Sequence, residues 1–500
     1  MLTIQQEDAV AAVTQACIAT QNGAAPQHFV LEAVAGSGKT RTLACIVERL
    51  VRLRRDIPVL LLQFNQEACR QMRERLRPVL DDNGHHIQVH TIHSFGLRLL
   101  GDPEVDPDKL YKAWHRLRAE GFSTDGERGR ADWLAVRSRV DAVRHGGTIP
   151  DFTVRPLTLE MTILEECVRD RVVVDQEDAV YHAVYYQHHT MCQYALVLVD
   201  EAQDLNDANH LFLRHCVVPR CGSTVFCAVG DQCQAIYQFR GAHPDSMNRL
   251  RQVFCATQLS LICCFRCPRR VVSVASYLLP KIRAAPTADL GGVSLCKAKG
   301  WNALEGMVDN IPPGETILFV ARTNRGILNF VRHLYHNAAL CRRRSLRWAA
   351  PALLAELTNL DDLRAVGDIL QRTQSELDES HGPVDQSVHR VLEAAVDVDG
   401  PAACPSPFLT FALRLLSVES GDVTLATIHG SKGAEYDHVF LDQYNLIGSA
   451  DDVQERNLLY IAVTRARKTL TFFMHGRSQY VPSAILPSTI IHMSGDLGVS

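Results

Sequence analysis

The first hundred residues alternate between helical and extended hydrophobic patterns. Gln5 to Thr20 reads as a helix, and His28–Val34 is a short apolar strand. A glycine-rich turn follows and opens a second helix from Lys39 to about Arg54. Ile57–Phe64 (IPVLLLQF) is an unbroken apolar run that predicts a fully buried strand, with a charged helix after it through Arg77. Ile87–Thr91 (IQVHT) predicts a third strand. Continuous apolar strands separated by helices point to a parallel sheet covered on both faces.

Between about Leu97 and His189 the pattern changes. Strand signals become scarce, and Arg116, Arg118, Arg128, Arg130, Arg137, Arg139 and Arg144 surround Trp114 and Trp133, which predicts a mostly helical insertion with a local basic excess. Sheet character returns at Tyr194–Val199, Val225–Val229 and Gln258–Leu261. A second α/β unit begins at Thr316–Ala321 (TILFVA) and resumes at Val423–Ile428 and His438–Leu441. Between these lies a second largely helical segment, about Cys341 to Leu416, broken by the proline-rich linker Gly400–Pro407. No repeat at a solenoid period occurs.

Composition narrows the class. Five hundred residues predict about three domains, and 46% hydrophobic with 22% charged residues is ordinary globular composition. The balance of 52 Lys+Arg against 56 Asp+Glu gives −4, which excludes a globally polybasic binder but leaves local basic grooves open. MLTIQQEDAV lacks a basic region followed by an apolar one, so a secretory signal is not expected. No apolar stretch reaches bilayer-spanning length, so a soluble chain with no membrane partner is expected. Sixteen cysteines without a signal peptide read as reduced thiols. Cys263, Cys264 and Cys267 form a lone CxxC-type group, a weak metal signal. The pairs His85–His86 and His188–His189 read as solvated loop residues.

Ala35-Gly36-Ser37-Gly38-Lys39-Thr40 follows a strand and opens a helix, the context a phosphate loop requires. Glycines let backbone N–H groups close around phosphate oxygens at the positive end of a helix. Lys39 would reach the β- and γ-phosphates and Thr40 would hold Mg2+, although Ala33 stands where the full pattern has its first glycine. Asp200 and Glu201 end the strand ALVLV, at the sheet edge where ligands bind in open α/β folds. Such a pair suits one carboxylate on Mg2+ and one orienting a water, although a strand followed by Asp-Glu also fits a helix cap. Phosphoryl transfer further needs cations on the developing charge, for which Arg266 and Arg465 are candidates.

Ten strings in order carry a resemblance. The chain resembles a superfamily 1A DNA helicase of the UvrD/PcrA/Rep type. LTIQQEDAV resembles the Q-motif, AVAGSGKTR motif I, LLLQFNQEACRQMRERL motif Ia and VHTIHSFG motif Ib. LVLVDEAQD resembles motif II, VGDQCQAIYQFRGA motif III and LICCFR motif IV, while VARTN resembles the strand opening the second core. VTLATIHGSKGAEYDHVFL resembles motif V and ERNLLYIAVTRARKTL motif VI. These strings cover roughly a third of the chain, and DEAQD with the FNQ form of motif Ia leans toward the F-box DNA helicase branch.

The resemblance implies an α/β fold of two RecA-like P-loop NTPase cores with parallel sheets, each carrying a mostly helical insertion. Core 1A would take residues 1–96 and 190–275, insertion 1B 97–189, core 2A 276–340 and 417–485, a short insertion 2B 341–416, and a tail 486–500. It implies ATP binding by Gln6, Ala35, Gly36, Ser37, Gly38, Lys39, Thr40, Arg41, Phe265 and Glu435, with Gln6 reading adenine, Phe265 stacking on it and Glu435 on the ribose. Thr40 and Asp200 would hold Mg2+, Glu201 would be the general base, Gln234 the γ-phosphate sensor, and Arg266 and Arg465 arginine fingers. DNA contacts would come from Phe64, His93, Ser94, Tyr237, Phe239, Arg240, Thr427 and His429.

Aromatic faces stack on bases without reading sequence, and hydroxyl or imidazole groups meet phosphates. Tyr237 and Phe239 alternate on IYQF, so an extended segment would put both on one face. The bland reading of such a pair is core packing; the flanking GDxxQ and RGA turn it toward bases. Gln66 stands where the family usually has lysine, and a one-residue alignment ambiguity there makes Phe64 less secure than Tyr237 or His429. Phe239 stands where many members have tryptophan.

The function expected is an ATP-dependent DNA helicase moving 3'-5' on single-stranded DNA and unwinding duplex, in repair, recombination or replication. The rival is a single-stranded DNA translocase that strips bound proteins and unwinds little alone, toward which the short second insertion leans. An RNA-directed helicase and a non-catalytic DNA-binding scaffold are less favoured. Partners expected are single-stranded and tailed duplex DNA, with single-strand binding or repair and recombination proteins, in the cytoplasm or nucleus. With 32 residues after Lys468, a fused nuclease is not expected.

Overall fold

The computed structural model describes residues 2–83, 86–119, 130–147, 158–170, 172–186, 188, 194–218, 222–297, 302–323, 326–327, 330–331, 334, 344–349, 415, 420–442, 452–473 and 491–494. The chain divides into two compact units, Met1–Ile262 and Cys263–Ser500.

In the first unit six parallel strands form one sheet, in the order Ile87–Thr91, Val59–Gln63, Leu196–Val199, Val225–Gly230, Phe29–Ala33, Thr257–Leu261. The strands Val59–Gln63, Leu196–Val199 and Val225–Gly230 are buried at every position, as their unbroken apolar strings require. Alternation survives inside those strings. Leu61, Leu196 and Leu198 share one core with Val10, Leu43 and Val47 of the helices Ile4–Gln21 and Lys39–Leu53. Leu60, Leu62, Val197 and Val199 face the other core, with Phe95, Phe212 and Phe226. Helices therefore cover both faces, and the loops at the carboxyl ends of the strands are left to carry chemistry.

The charged segment after Val59–Gln63 forms two helices, Gln66–Arg75 and Arg77–Asn83, rather than one. Asn65 caps the first by accepting the Ala68 N–H at 2.8 Å.

Among the described residues of 97–189 are the helices Lys109–Ala119, Arg130–His145, Leu159–Arg169 and Asp178–Tyr185 and the short strands Glu104–Val105 and Val173–Val174. Their apolar sides meet in a separate core that includes Trp114, Val136, Val140, Ile163, Leu164 and Tyr181. Beside it lies a buried ion cluster. Lys109 donates to Asp178 at 2.9 Å, and Arg144 donates to both oxygens of Asp175 at 2.8 Å and to Asp178 at 3.0 Å. The arginine richness seen in sequence is therefore partly spent within the fold. Arg116 pairs with Glu166, Arg137 with Asp141 and Arg139 with Glu160.

The second unit holds a seven-stranded parallel sheet, in the order Leu346–Trp348, Val423–Thr427, Ile317–Ala321, Tyr436–Asp442, Ala466–Phe473, Gly292–Lys297, Ile491–Ser494. Ile317–Ala321 is buried throughout at its centre. The helix Val453–Val463 packs near Arg269–Leu278, where Arg456 donates to the Leu278 carbonyl at 3.2 Å. Of the expected second insertion, only residues 344–349 and 415 fall among the described residues.

No described helix is long and apolar enough to cross a membrane. No group of three or more His, Cys, Asp or Glu among the described residues is placed to hold a metal ion, Cys263, Cys264 and Cys267 included.

Candidate functional site

The strand Phe29–Ala33 runs into the loop 34–38, and the helix Lys39–Leu53 starts at once. Gly38 is its N-terminal cap, with φ 81° and ψ 36° in the left-handed region. A Cβ at Gly38 would also lie 2.8 Å from the Gln6 side-chain nitrogen, so the position tolerates only glycine. Gln6 is buried. Its Nε2 donates to the Ser37 carbonyl at 2.9 Å and its Oε1 accepts the Thr3 N–H at 2.9 Å, closing a capping box with Thr3. The side chain expected to read adenine thus ties the first helix to the loop. Arg41 is exposed on the first helical turn.

Asp200 and Glu201 leave the end of Leu196–Val199 and meet this loop. The Thr40 hydroxyl donates to Asp200 at 3.4 Å, and Lys39 Nζ lies 3.4 Å from both Glu201 oxygens. Glu201 adopts φ 50° and ψ 39°, left-handed backbone that costs a non-glycine residue roughly 1–3 kcal/mol. Such strain persists where surrounding contacts impose it, and here the bend keeps adjacent carboxylates on Thr40 and Lys39.

Two residues to which sequence assigned no role complete the arrangement. Gln203 is buried, donates to Glu201 at 2.5 Å and accepts the Asp231 N–H at 3.0 Å. Asp231 in turn accepts from the Gln234 amide at 2.7 Å. A chain of hydrogen bonds therefore links Glu201 to Gln234. Both intermediates sit inside the recognised strings DEAQD and GDQ, but spacing does not tell which side chains meet. Gly230 is required by the same packing, since a Cβ there would lie 2.5 Å from the Gln203 side-chain oxygen Oε1 and 2.7 Å from the Met247 sulfur.

The charges do not balance. Lys39 faces Asp200, Glu201 and Asp231; burial opposes its charge, but the three carboxylates outweigh burial and raise its pKa. Burial, with Glu201 beside it, pushes Asp200 up to about 6. An excess of hard oxygen donors, Thr40 beside Asp200, fits a divalent cation such as Mg2+. The buried Ser37 hydroxyl has no hydrogen-bond partner among the described residues, which fits a loop built around phosphate oxygens.

A second feature of this unit is aromatic. Phe64 stacks on Tyr237 with centroids 5.7 Å apart and planes at 14°. Phe239 lies 6.1 Å from Tyr237, and the Arg240 guanidinium sits 5.7 and 5.6 Å from the two rings. The expected extended segment is absent: Gln238–Arg240 is a 3-10 turn, and the turn rather than strand alternation brings the rings together. Phe239 is 55% exposed and Tyr237 half-buried, so this is not a core pair. His93 lies 3.6 Å from Glu177, which also meets His145 at 2.9 Å. Ser94 forms a capping box with Thr91 at the start of Ile92–Leu99.

In the second unit Arg266 donates to Glu435 at 2.7 Å and to the Thr464 carbonyl at 3.3 Å, beside a half-exposed Phe265. Arg465 is fully buried and donates to the carbonyls of Ile461 at 2.9 Å and Ala434 at 3.0 Å. Thr427 ends Val423–Thr427, with its hydroxyl accepting the Gly430 N–H at 3.1 Å, and His429 is half-buried in the turn that follows.

A glycine-rich loop between strand and helix, faced by two acids from the neighbouring sheet edge, defines the P-loop class. Comparison with known proteins narrows it. A family model described as an AAA domain matches residues 15–240, and one described as a UvrD-like helicase C-terminal domain matches 422–472. The F-box DNA helicase protein 1 of Schizosaccharomyces pombe is 30% identical over 310 residues, 56% of this chain and 34% of that one. DNA helicase II of Haemophilus influenzae is 23% identical over 280 residues, 50% of this chain and 38% of that one. The ATP-dependent DNA helicase PcrA of Bacillus subtilis is 24% identical over 265 residues, 46% and 34% respectively. The matches thus span well under half the length of these relatives. Over these segments the chain is similar to UvrD/PcrA-like superfamily 1 helicases.

Proposed function

We propose that the chain is an ATP-dependent DNA helicase that translocates 3'-5' on single-stranded DNA and unwinds duplex, serving repair, recombination or replication. The observation that carries this is the buried Lys39 held against Asp200, Glu201 and Asp231 beside the Thr40 hydroxyl. Lys39 and the loop N–H groups would hold the β- and γ-phosphates of ATP, and Thr40 and Asp200 would hold Mg2+. Mg2+, when bound, supplies positive charge to the phosphoryl oxygens. Glu201, oriented by Gln203, would take the proton of the attacking water, and Gln234 would report the γ-phosphate to Glu201 through Asp231 and Gln203. Arg266 and Arg465 are proposed as the cations for the charge that develops.

The DNA reading is supported by the Phe64, Tyr237 and Phe239 rings with Arg240 beside them, a stacking surface with a cation for the backbone. The names of the relatives agree with it. Strand displacement from duplexes with a 3' or a 5' single-stranded tail tests the proposal. Displacement from the 3'-tailed duplex alone, dependent on ATP and Mg2+, is expected. Displacement only from the 5' tail would contradict the polarity. ATP hydrolysis stimulated by single strands with both duplexes intact would instead identify a translocase that strips bound proteins.

A further inference from the structure

The helix Lys109–Ala119 carries Tyr111, Trp114, His115 and Arg118 at spacings of three and four, which aligns them along one face. The helix Arg130–His145 answers with Trp133 and Arg137, four residues apart. The rings form one cluster. Tyr111 and Trp133 meet with centroids 5.1 Å apart, Trp114 and Trp133 at 5.4 Å, and Trp114 and His115 at 4.8 Å. Together these six side chains line most of a cleft of about 590 Å³, within the ordinary range for a ligand site of roughly 300–1,000 Å³.

Core packing accounts for only part of this cluster. Trp114 is buried and forms the floor, whereas Tyr111 is 41% exposed, Trp133 is partly buried, and His115, Arg118 and Arg137 are exposed. The Arg118 guanidinium lies 4.9 Å from the Trp114 ring centroid and makes no salt bridge among the described residues. An aromatic cage can also take a quaternary ammonium. Here Arg118 already occupies a cation–π position, and its charge would repel a second cation. Of the two carboxylates in the lining, Asp175 is held by both contacts from Arg144 at 2.8 Å; Asp108 is the other.

We propose that this cleft is a second single-stranded DNA contact, which takes an unpaired base against Tyr111 and Trp133 and sets Arg118 on the adjoining phosphate. The proposal rests on the chain's binding single-stranded DNA, and adds a contact on the helical segment, apart from the Phe64–Tyr237–Phe239 rings.

The test uses the full chain with a single-stranded oligonucleotide carrying 5-bromouracil, photo-cross-linked without ATP and mapped by peptide mass spectrometry. Affinity for the same oligonucleotide is measured on wild type, Trp133→Leu and Arg118→Gln, with circular dichroism confirming the fold. Arg118 is exposed, so its variant keeps the test open if Trp133→Leu unfolds. Cross-links at Tyr111 or Trp133, with affinity lowered about tenfold in either variant, the scale of one lost base stack, are expected. Cross-links confined to Phe64, Tyr237 or Phe239, with unchanged affinity in both variants, overturn the cleft and leave the helicase reading standing. Cross-links confined to the cleft overturn the Tyr237 surface instead. Tryptophan fluorescence quenched by a trimethyl-lysine peptide and not by the oligonucleotide would assign the cleft to a cationic partner and overturn the proposal.

Discussion

Two clusters of buried charge lie in the first unit, and they are built differently. In the helical segment, Asp178 receives Lys109 at 2.9 Å, Arg144 at 3.0 Å and the Asp175 N–H at 3.1 Å. Burial works against its charge, yet His182, Arg144 and Lys109 together pull its pKa below the usual range. At the phosphate loop one lysine faces three carboxylates, and Asp200 is pushed up to about 6 by burial and by Glu201. The first cluster sets the cations Lys109 and Arg144 against the carboxylates Asp175 and Asp178; the second has oxygen donors to spare and a strained Glu201 backbone. Buried charges that are fully paired are structural, and an unbalanced set at the carboxyl edge of a parallel sheet is prepared for a ligand of opposite sign.

Exchanging the two lysines breaks the comparison most sharply. Lys39→Ala should lower DNA-stimulated ATP hydrolysis by at least about 10³-fold, while single-strand binding stays measurable, as followed by phosphate release and fluorescence anisotropy. Hydrolysis surviving in this variant would remove the loop from the site. Lys109→Ala should do the reverse. By leaving Asp178 short of a partner it should cost roughly 3–5 kcal/mol of stability in denaturant unfolding, with the KM for ATP of the folded protein unchanged. A smaller effect is expected from Tyr237→Ala with Phe239→Ala, about 1–3 kcal/mol of single-strand affinity per lost stack. Normal affinity in that double variant would return both rings to a packing role.

The first sheet was legible in sequence because its central strands are unbroken apolar strings, which only a strand covered on both faces requires. The second sheet was legible only at its centre. Ala466–Phe473 was missed because its first half is charged and partly exposed, and only the TLTFF end is apolar. Gly292–Lys297 opens on glycine and ends on lysine, and Leu346–Trp348 has three residues. Lys39, Thr40, Asp200 and Glu201 were legible because loop and strand end fix their places. Gln203 and Asp231 were not, since their meeting depends on how two loops fold over the sheet edge. The turn at Gln238–Arg240 was hidden because IYQF has strand-like composition, yet the ring contacts it creates match the expected pairing. The arginines of the helical segment looked like a basic surface, but counting them could not show that several are held by Glu160, Glu166, Asp141 and Asp175.

The central claim is that Glu201, held by Gln203 beside Lys39, activates the water that attacks the γ-phosphate. ATP hydrolysis by wild type and Glu201→Gln, with saturating single-stranded DNA and Mg2+ and with nucleotide affinity measured in parallel, tests it directly. The account predicts that the variant binds ATP nearly as well as wild type and hydrolyses it at least about 10³-fold more slowly. Hydrolysis at the wild-type rate in Glu201→Gln would contradict it.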